Sequence, residues 1–382
     1  MSRKDIYISQ PSFGEEEWLA LKEPLESGWV TQGPKVREFE KRFAELHGVK
    51  HAIATTSATT ALHLALLALD VGPGDEVIVP AFTWIATANA ALYCGATPVM
   101  VDILPDTFNI DPAEVARKLT PRTKAIIPVH LFGLCADMDA IRKAAPGIPL
   151  VEDAACAAGA GYKDASAGSL GELGCFSFHP RKSVTTGEGG MVTTNDDALA
   201  QKVDVLRNHG ASISEEQRHL GARPYMLPAF EVMGFNYRMT DLQGAMGVVQ
   251  IQKLRQLIDE RMKRAEFYHH ELKDIPWLKT PSYQTYDRHG WQSYVTMVDE
   301  SKSPCSRNDM MEYLLKNGIH TRPGTHALHI QTFYQQKYGY APEDFPVSLL
   351  ANNASMAIPL HNRMTDDDYQ RVVNAIREIA NL

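Results

Sequence analysis

Four short runs decide how this chain folds: Glu76-Val77-Ile78-Val79-Pro80, Pro98-Val99-Met100-Val101-Asp102, Ala125-Ile126-Ile127-Pro128-Val129-His130 and Pro149-Leu150-Val151-Glu152-Asp153. Each is apolar almost without a break. A strand with one wet face alternates apolar and polar residues, whereas a strand covered by helices on both faces does not. The runs predict strands over Glu76–Pro80, Thr97–Asp102, Lys124–His130 and Ile148–Asp153. Helical patterns over Ser57–Leu69, Thr83–Cys94 and Asp137–Ala145 alternate with them. Such alternation predicts an α/β domain with a mainly parallel sheet.

Working outward, Gly33-Pro34 reads as a helix start and Gly48 as its stop. Val36, Phe39, Phe43 and Leu46 fall on one face of that helix. Downstream, a polar loop is expected over Ala211–Pro228 and a long amphipathic helix over Thr240–Leu272. Tyr294–Val298 reads as a strand, and Arg307–Asn317 and Thr365–Ala380 as helices. These elements predict a large α/β domain over residues 1–255 and a smaller C-terminal α+β domain over 256–382, with the change inside the long helix.

Composition narrows the function. Apolar residues make up 44% and charged residues 22% of 382, the profile of a globular protein. Lys and Arg number 38 against 46 Asp and Glu, a net charge of −8 that argues against a nucleic-acid or anionic-membrane binder. Five scattered cysteines without CxxC spacing predict reduced thiols in a cytoplasmic protein. The start shows no apolar core of a secretory signal, and the greasiest stretch, Ala61–Leu69, is too short to span a bilayer.

Open α/β sheets bind ligands beyond the carboxyl ends of their strands. Three features converge there. Thr55-Thr56-Ser57-Ala58-Thr59-Thr60 opens a helix with free N–H groups and hydroxyls, a seat for a phosphate, although Ser57 read alone is an ordinary N-cap. Asp153 ends an apolar strand. Lys182 lies in Ser177-Phe178-His179-Pro180-Arg181-Lys182, ahead of Thr185-Thr186-Gly187-Glu188-Gly189-Gly190. Read alone it is a surface lysine, but in a crowded pocket it suits Schiff-base formation. A phosphate seat, an acid and an amine match pyridoxal 5′-phosphate (PLP): the amine holds the aldehyde and the carboxylate keeps the pyridine nitrogen protonated. Trp84, read alone a core aromatic, could lie flat on the ring.

Longer motifs carry a resemblance. SGWVTQGPKVREFE (27–40), GDEVIVPAFTWIATANA (74–90), VEDAACAAGA (151–160), CFSFHPRKSVTTGEGGMVTTND (175–196), GFNYRMTDLQGAMG (234–247) and MAIPLHNRMTDDDY (356–369) span most of the chain. It resembles the DegT/DnrJ/EryC1/StrS family of sugar aminotransferases, PLP-dependent transferases of fold type I. The resemblance implies a covalent imine between PLP and Lys182, Asp153 as the pyridinium partner and Trp84 as the stacking aromatic. It implies phosphate contacts at Ala58, Thr59 and Ser177, and a further one from Asn236 across a homodimer with shared active sites. Cys156 stands where many relatives carry Gln or His against the ring hydroxyl. Substrate contacts are expected from the loops at 211–235 and 321–329, with Arg238 and His329 the named candidates. His326 and His329 form a possible metal pair but lack a third ligand at diagnostic spacing, so no metal is expected.

The implied reaction transfers an amino group, from glutamate by analogy, to a keto sugar carried on a nucleotide, with a 4-keto-6-deoxyhexose preferred. A branch of the family that dehydrates its sugar carries His at the imine position, and Lys182 argues against it. The rival readings are a dehydratase or eliminase on the same cofactor, and a cofactor-binding regulator that catalyses nothing. The regulator would need a DNA-reading module, of which the sequence has no sign.

Overall fold

The computed structural model describes residues 4–213, 225, 227–284 and 287–381. Helix α1 (Pro34–His47) has Pro34 at its first position, and Gly48 ends it in the left-handed region at φ 66°. Val36, Phe39 and Phe43 are buried along one face, with Leu46 packed beside them. There follow β1 (His51–Thr55), α2 (Ala58–Ala68), β2 (Glu76–Pro80), α3 (Ala86–Tyr93), β3 (Thr97–Val101) and β4 (Thr123–Ile126). The sheet is completed by β5 (Val151–Asp153), β6 (Leu173–Ser177) and β7 (Gly190–Thr194).

The order is β3-β2-β4, joined through the single parallel bridges Ile126 to Leu150 and Val129 to Asp153, to β5-β6-β7-β1. Neighbours pair in parallel from β3 to β6, and β7 runs antiparallel to both β6 and β1. One core packs a sheet face against α1 and the start of the long helix α4 (Asp241–Leu272); a second packs the other face against α2 and α3. Both faces are therefore dry, which is why the strands read as unbroken apolar runs.

The boundaries differ from the sequence reading in three places. Residues 83–85 are not helical: Phe82–Thr83 extends and pairs with His326–Ala327, so α3 starts at Ala86. The strand expected to reach His130 stops at Ile126, and the segment after it, which contains Pro128, keeps only isolated bridging. The strand expected from Ile148 begins at Val151. In the loop expected over Ala211–Pro228, residues 214–224 and 226 lie outside the described residues.

Beyond α4, a three-stranded antiparallel sheet of β8 (Leu278–Lys279), β9 (Tyr294–Val298) and β10 (Ser355–Ile358) packs with α5 (Arg307–Lys316) and α7 (Asp366–Glu378). Between these lies α6 (Pro346–Ala354). The residues of α4 up to Ile258 belong to the large-domain core, and Ala265, Tyr268 and Leu272 belong to the second. We propose the domain division within this helix on that change of core.

A carboxylate at the start of α4 ties the two long helices together. The cap residue of α1 is Gly33, which has no side chain to accept from the first turn. Asp241 supplies it from outside: Oδ1 accepts from Gly33 N and Val36 N at 2.9 Å, and Oδ2 from Lys35 N at 3.1 Å. Gly244 lets the helices close, since a Cβ there would sit 2.6 Å from Val36 N. Asp241 is buried, so its loss strands three N–H groups that water does not reach freely. Asp241→Ala is expected to cost about 2–3 kcal/mol, read as a lowered denaturation midpoint; an unchanged midpoint would show that the cap is dispensable.

Candidate active site

The sheet register gathers the site. Thr55 pairs with Gly190, and Gly190 with Ser177, while Asp153 lies beside Cys175 on the next strand. The carboxyl ends of β1, β5 and β6 and the start of β7 therefore share one edge. α2 begins just beyond β1. Its cap, Ser57, accepts from Thr60 N, whereas the N–H groups of Ala58 and Thr59 have no acceptor among the described residues. Two open amides at a helix N-terminus are a seat for an anion. Gly190 closes against this turn: a Cβ there would meet Ala58 N at 2.7 Å.

Three acidic residues stand at this edge, and two are already committed. Asp102 accepts from the N–H groups of Val347 and Ser348 and from the Ser348 hydroxyl, capping α6. Glu152 is wholly buried, accepts from Gly168, Leu170 and Gly171 N–H groups, and lies 2.8 Å from His130 Nε2. His130 Nδ1 accepts from Ala136 N, so the ring proton sits on Nε2 and points at Glu152.

Asp153 is different. It receives only the Thr87 hydroxyl at 2.7 Å and Ala155 N at 3.2 Å, and no cation pairs with it among the described residues. Burial pushes its carboxyl up from the usual range, and the Thr87 and Ala155 donors and the Lys182 charge pull the other way. A dry carboxylate with spare lone pairs is suited to an N–H⁺ partner.

Lys182 Nζ lies 3.2 Å from Cys156 Sγ, which places the amine over the turn that follows Asp153. The lysine's loop is held by its own backbone: Lys182 N donates to His179 O, Phe178 N to Gly189 O, and the Thr185 hydroxyl to Phe178 O. Gly187 and Gly189 adopt φ of 85° and 158°, and this backbone is why the turn is glycine-rich. Trp84 stands at the same end, 55% exposed, with its ring 5.5 Å from His326.

Of the other expected residues, Ser177 ends β6 beside Gly190. Asn236 is exposed and bridges to Asn208, and Arg238 Nη1 donates to Asn208 Oδ1 at 2.9 Å while its Nε is buried without a partner. His329 is fully buried, with Nε2 3.0 Å from Pro342 O and its ring against Phe345.

Three features were not read from the sequence: the Thr87 hydroxyl on Asp153, the exposed His326 beside Trp84, and a cavity that reaches Arg181. That cavity, about 640 Å³, is lined by Arg181 and Arg322 with Tyr7, Met311, Leu315 and His320. Thr83 and Thr87, four apart in AFTWIATANA, were the available signal for the first. No group of three or more metal-ligating side chains is found among the described residues.

A model of the DegT/DnrJ/EryC1/StrS aminotransferase family matches residues 11–377. The chain belongs to this family. It is 42% identical over 378 residues, 97% of this chain and 96% of the relative, to the spore coat polysaccharide biosynthesis protein SpsC of Bacillus subtilis. Among solved structures it is similar to the putative sugar aminotransferase Spr1654 of Streptococcus pneumoniae in its PMP form, with TM-score 0.91, 29% identity and 99% of each chain covered. The aminotransferase PseC of Helicobacter pylori, involved in the biosynthesis of pseudoaminic acid, matches with TM-score 0.91 and 28% identity over 99% of this chain and 100% of that one. The protein is a PLP-dependent sugar aminotransferase of fold type I.

The donor set fits PLP: an amine, a dry carboxylate without a cation and two open amides meet at one edge. We propose that Lys182 carries the cofactor, Asp153 partners its ring nitrogen, Trp84 covers the ring, Cys156 faces its hydroxyl, and Ala58, Thr59 and Ser177 hold its phosphate. Lys182→Ala is expected to abolish turnover and the visible absorbance of the bound cofactor; turnover at the wild-type rate would refute the assignment. Asp153→Asn keeps the shape and removes the charge, so it should lower kcat by about a hundredfold or more while cofactor is retained. Steady-state rates and a bound-cofactor titration check this, and a kcat within a few-fold of wild type would count against the role.

Proposed function

We propose that the protein aminates a keto sugar attached to a nucleoside diphosphate, with glutamate as the amino donor. The observation that carries this reading is the cavity lined by Arg181 and Arg322. Arg181, next to the lysine in sequence, and Arg322 both line it together with Glu312, and neither arginine forms an ion pair among the described residues. Burial and the neighbouring Arg322 charge pull Arg181 down from its usual range. Two unpaired guanidinium groups held close together are suited to a diphosphate, whose oxygens accept planar, paired N–H donors. Tyr7 stacks on His320 at the cavity wall, with ring centroids 4.8 Å apart, beside apolar Met311 and Leu315. This is a surface for a flat base. A sugar joined to that diphosphate then reaches toward the lysine.

PLP, when bound, supplies the electron sink for the carbanion formed at the donor's α-carbon. The chain does the rest. Lys182 Nζ takes the α-proton as a base and returns a proton as an acid. Asp153 holds negative charge at the ring nitrogen from a site closed to water. The hydroxyl and amide groups of Ala58, Thr59 and Ser177 fix the phosphate, so the ring does not drift as the amine is displaced. A 4-keto-6-deoxyhexose is our preferred sugar.

The proposed enzyme is a homodimer with shared sites, in which Asn236 reaches the partner's cofactor phosphate and Arg238 contacts substrate. Leu227, Phe230 and Met233, just upstream, are 80%, 64% and 82% exposed in the single chain, an apolar patch of the kind a second copy covers. Among the described residues no helix is long and apolar enough to cross a membrane. All five cysteines are free, which agrees with our proposal of a cytoplasmic enzyme.

Two half-reactions through one site require parallel double-reciprocal lines for glutamate and the sugar nucleotide, with a product whose mass reports exchange of oxygen for NH. Intersecting lines would overturn the scheme. Arg322→Ala should raise KM for the sugar nucleotide by about tenfold or more, with kcat and the glutamate KM little changed. A rise confined to the glutamate KM would instead assign the arginines to the donor's carboxylate.

A further inference from the structure

Thr87 is the second residue of α3 and is completely buried; its hydroxyl is the only side-chain hydrogen bond that Asp153 receives among the described residues. One turn upstream, the buried Thr83 hydroxyl lies 3.2 Å from Thr87 Oγ1. Chemistry fixes the direction of this chain. An ionised carboxylate offers only lone pairs, so the Thr87 proton points at Asp153 Oδ2. The Thr87 oxygen is then left to accept, and Thr83 donates to it. Two hydroxyls therefore form a directed relay that ends on the carboxylate.

The relay also has a firm base. Thr83 sits in the extended pair with His326–Ala327, and Trp84 follows it directly. The groups that face Asp153 from other elements do not replace Thr87. Lys182, from the loop after β6, belongs to the cofactor on the reading above. His130, after β4, gives its proton to Glu152. Cys175, on β6, is a buried thiol whose ionisation is suppressed by burial. Ala155 N binds the other oxygen.

We infer that Thr87, oriented by Thr83, is the positioning residue that keeps Asp153 ionised and aimed at the cofactor's ring nitrogen. The inference rests on Asp153 being that ring partner. A donor hydrogen bond favours the charged form of a carboxylate, so its removal raises the pH below which the charge is lost. Activity that needs the charge is present above that pH and falls away below it.

The test compares holoenzymes of Thr87→Val, which keeps the volume and loses the donor, and Thr87→Ser, which keeps the donor. Two profiles are read against pH: kcat, and the visible absorbance of the bound cofactor without substrates. Thr87→Val should move the acid limb of both profiles to higher pH and lower kcat at the acidic end by about tenfold, and Thr87→Ser should restore both. Thr83→Val should shift the profiles in the same direction by less. Wild-type profiles in Thr87→Val, or equal impairment in Thr87→Ser, would overturn the inference. If Thr87→Val does not fold, Thr83→Val decides, and its wild-type behaviour would be the refutation. Asp153→Asn, measured in parallel, separates the two levels: wild-type rates there sink the ring-partner assignment, whereas a slow Asp153→Asn beside an unaltered Thr87→Val sinks only the role of Thr87.

Discussion

A carboxylate closed off from water costs several kcal/mol to keep charged unless a cation or several donors compensate it. The edge of this sheet places three acidic residues under that constraint and meets it in three ways. Asp102 is satisfied by the first turn of α6. Glu152 is satisfied by three amides and a histidine. Asp153 alone is left with two donors and no cation. The difference is one of unspent capacity, and a site that awaits a cationic ring nitrogen differs from structural acids in just this respect. On the proposed cofactor assignment the other features of the edge follow from it: an amine over the turn after Asp153, open amides for a phosphate, and a glycine turn that brings backbone against them.

The strands were legible because their physics is local. A strand covered on both faces has to be apolar at every position, and the runs at 76–80, 98–102, 125–130 and 149–153 say so directly. The helix ends at Gly33-Pro34 and Gly48, and the start of α4 near Thr240, were legible for the same reason. The misread stretch at 83–85 has a non-local cause. Thr83 is drawn into extended backbone by His326, a partner far away in sequence. The early end of β4 has the opposite origin, since Pro128 lacks the N–H that a continuing ladder needs.

The candidate site was legible to the extent that it uses strand ends and helix starts, positions that a sequence marks by composition. Asp153, Lys182 and the Ser57–Thr60 turn stand where the topology of an open sheet puts ligands. The cavity was not legible, because Tyr7, Arg181 and Arg322 come from three separate parts of the chain. The placement of His329 was not legible for a related reason. Its segment does approach the site, but neighbouring residues face opposite ways: His326 is exposed beside Trp84, while His329 turns inward to Pro342. Only the fold decides which histidine of such a pair meets the solvent.

The two domains we propose meet where these demands overlap. Asp102 of the large domain caps α6, the helix that leads into β10 of the smaller sheet, and Phe82–Thr83 of the large domain pairs with His326–Ala327. The first contact is a buried charge-assisted cap and the second a backbone ladder, so both hold the C-terminal segment against the edge that carries Asp153. Arg322 stands four residues before that ladder, and its own backbone bonds to Ala357 of β10. The backbone that carries Arg322 is thus fixed by main-chain hydrogen bonds on both sides. The proposed diphosphate seat needs this rigidity: two arginines on free loops would repel each other and separate, whereas arginines anchored by backbone stay close and keep their donors for a ligand.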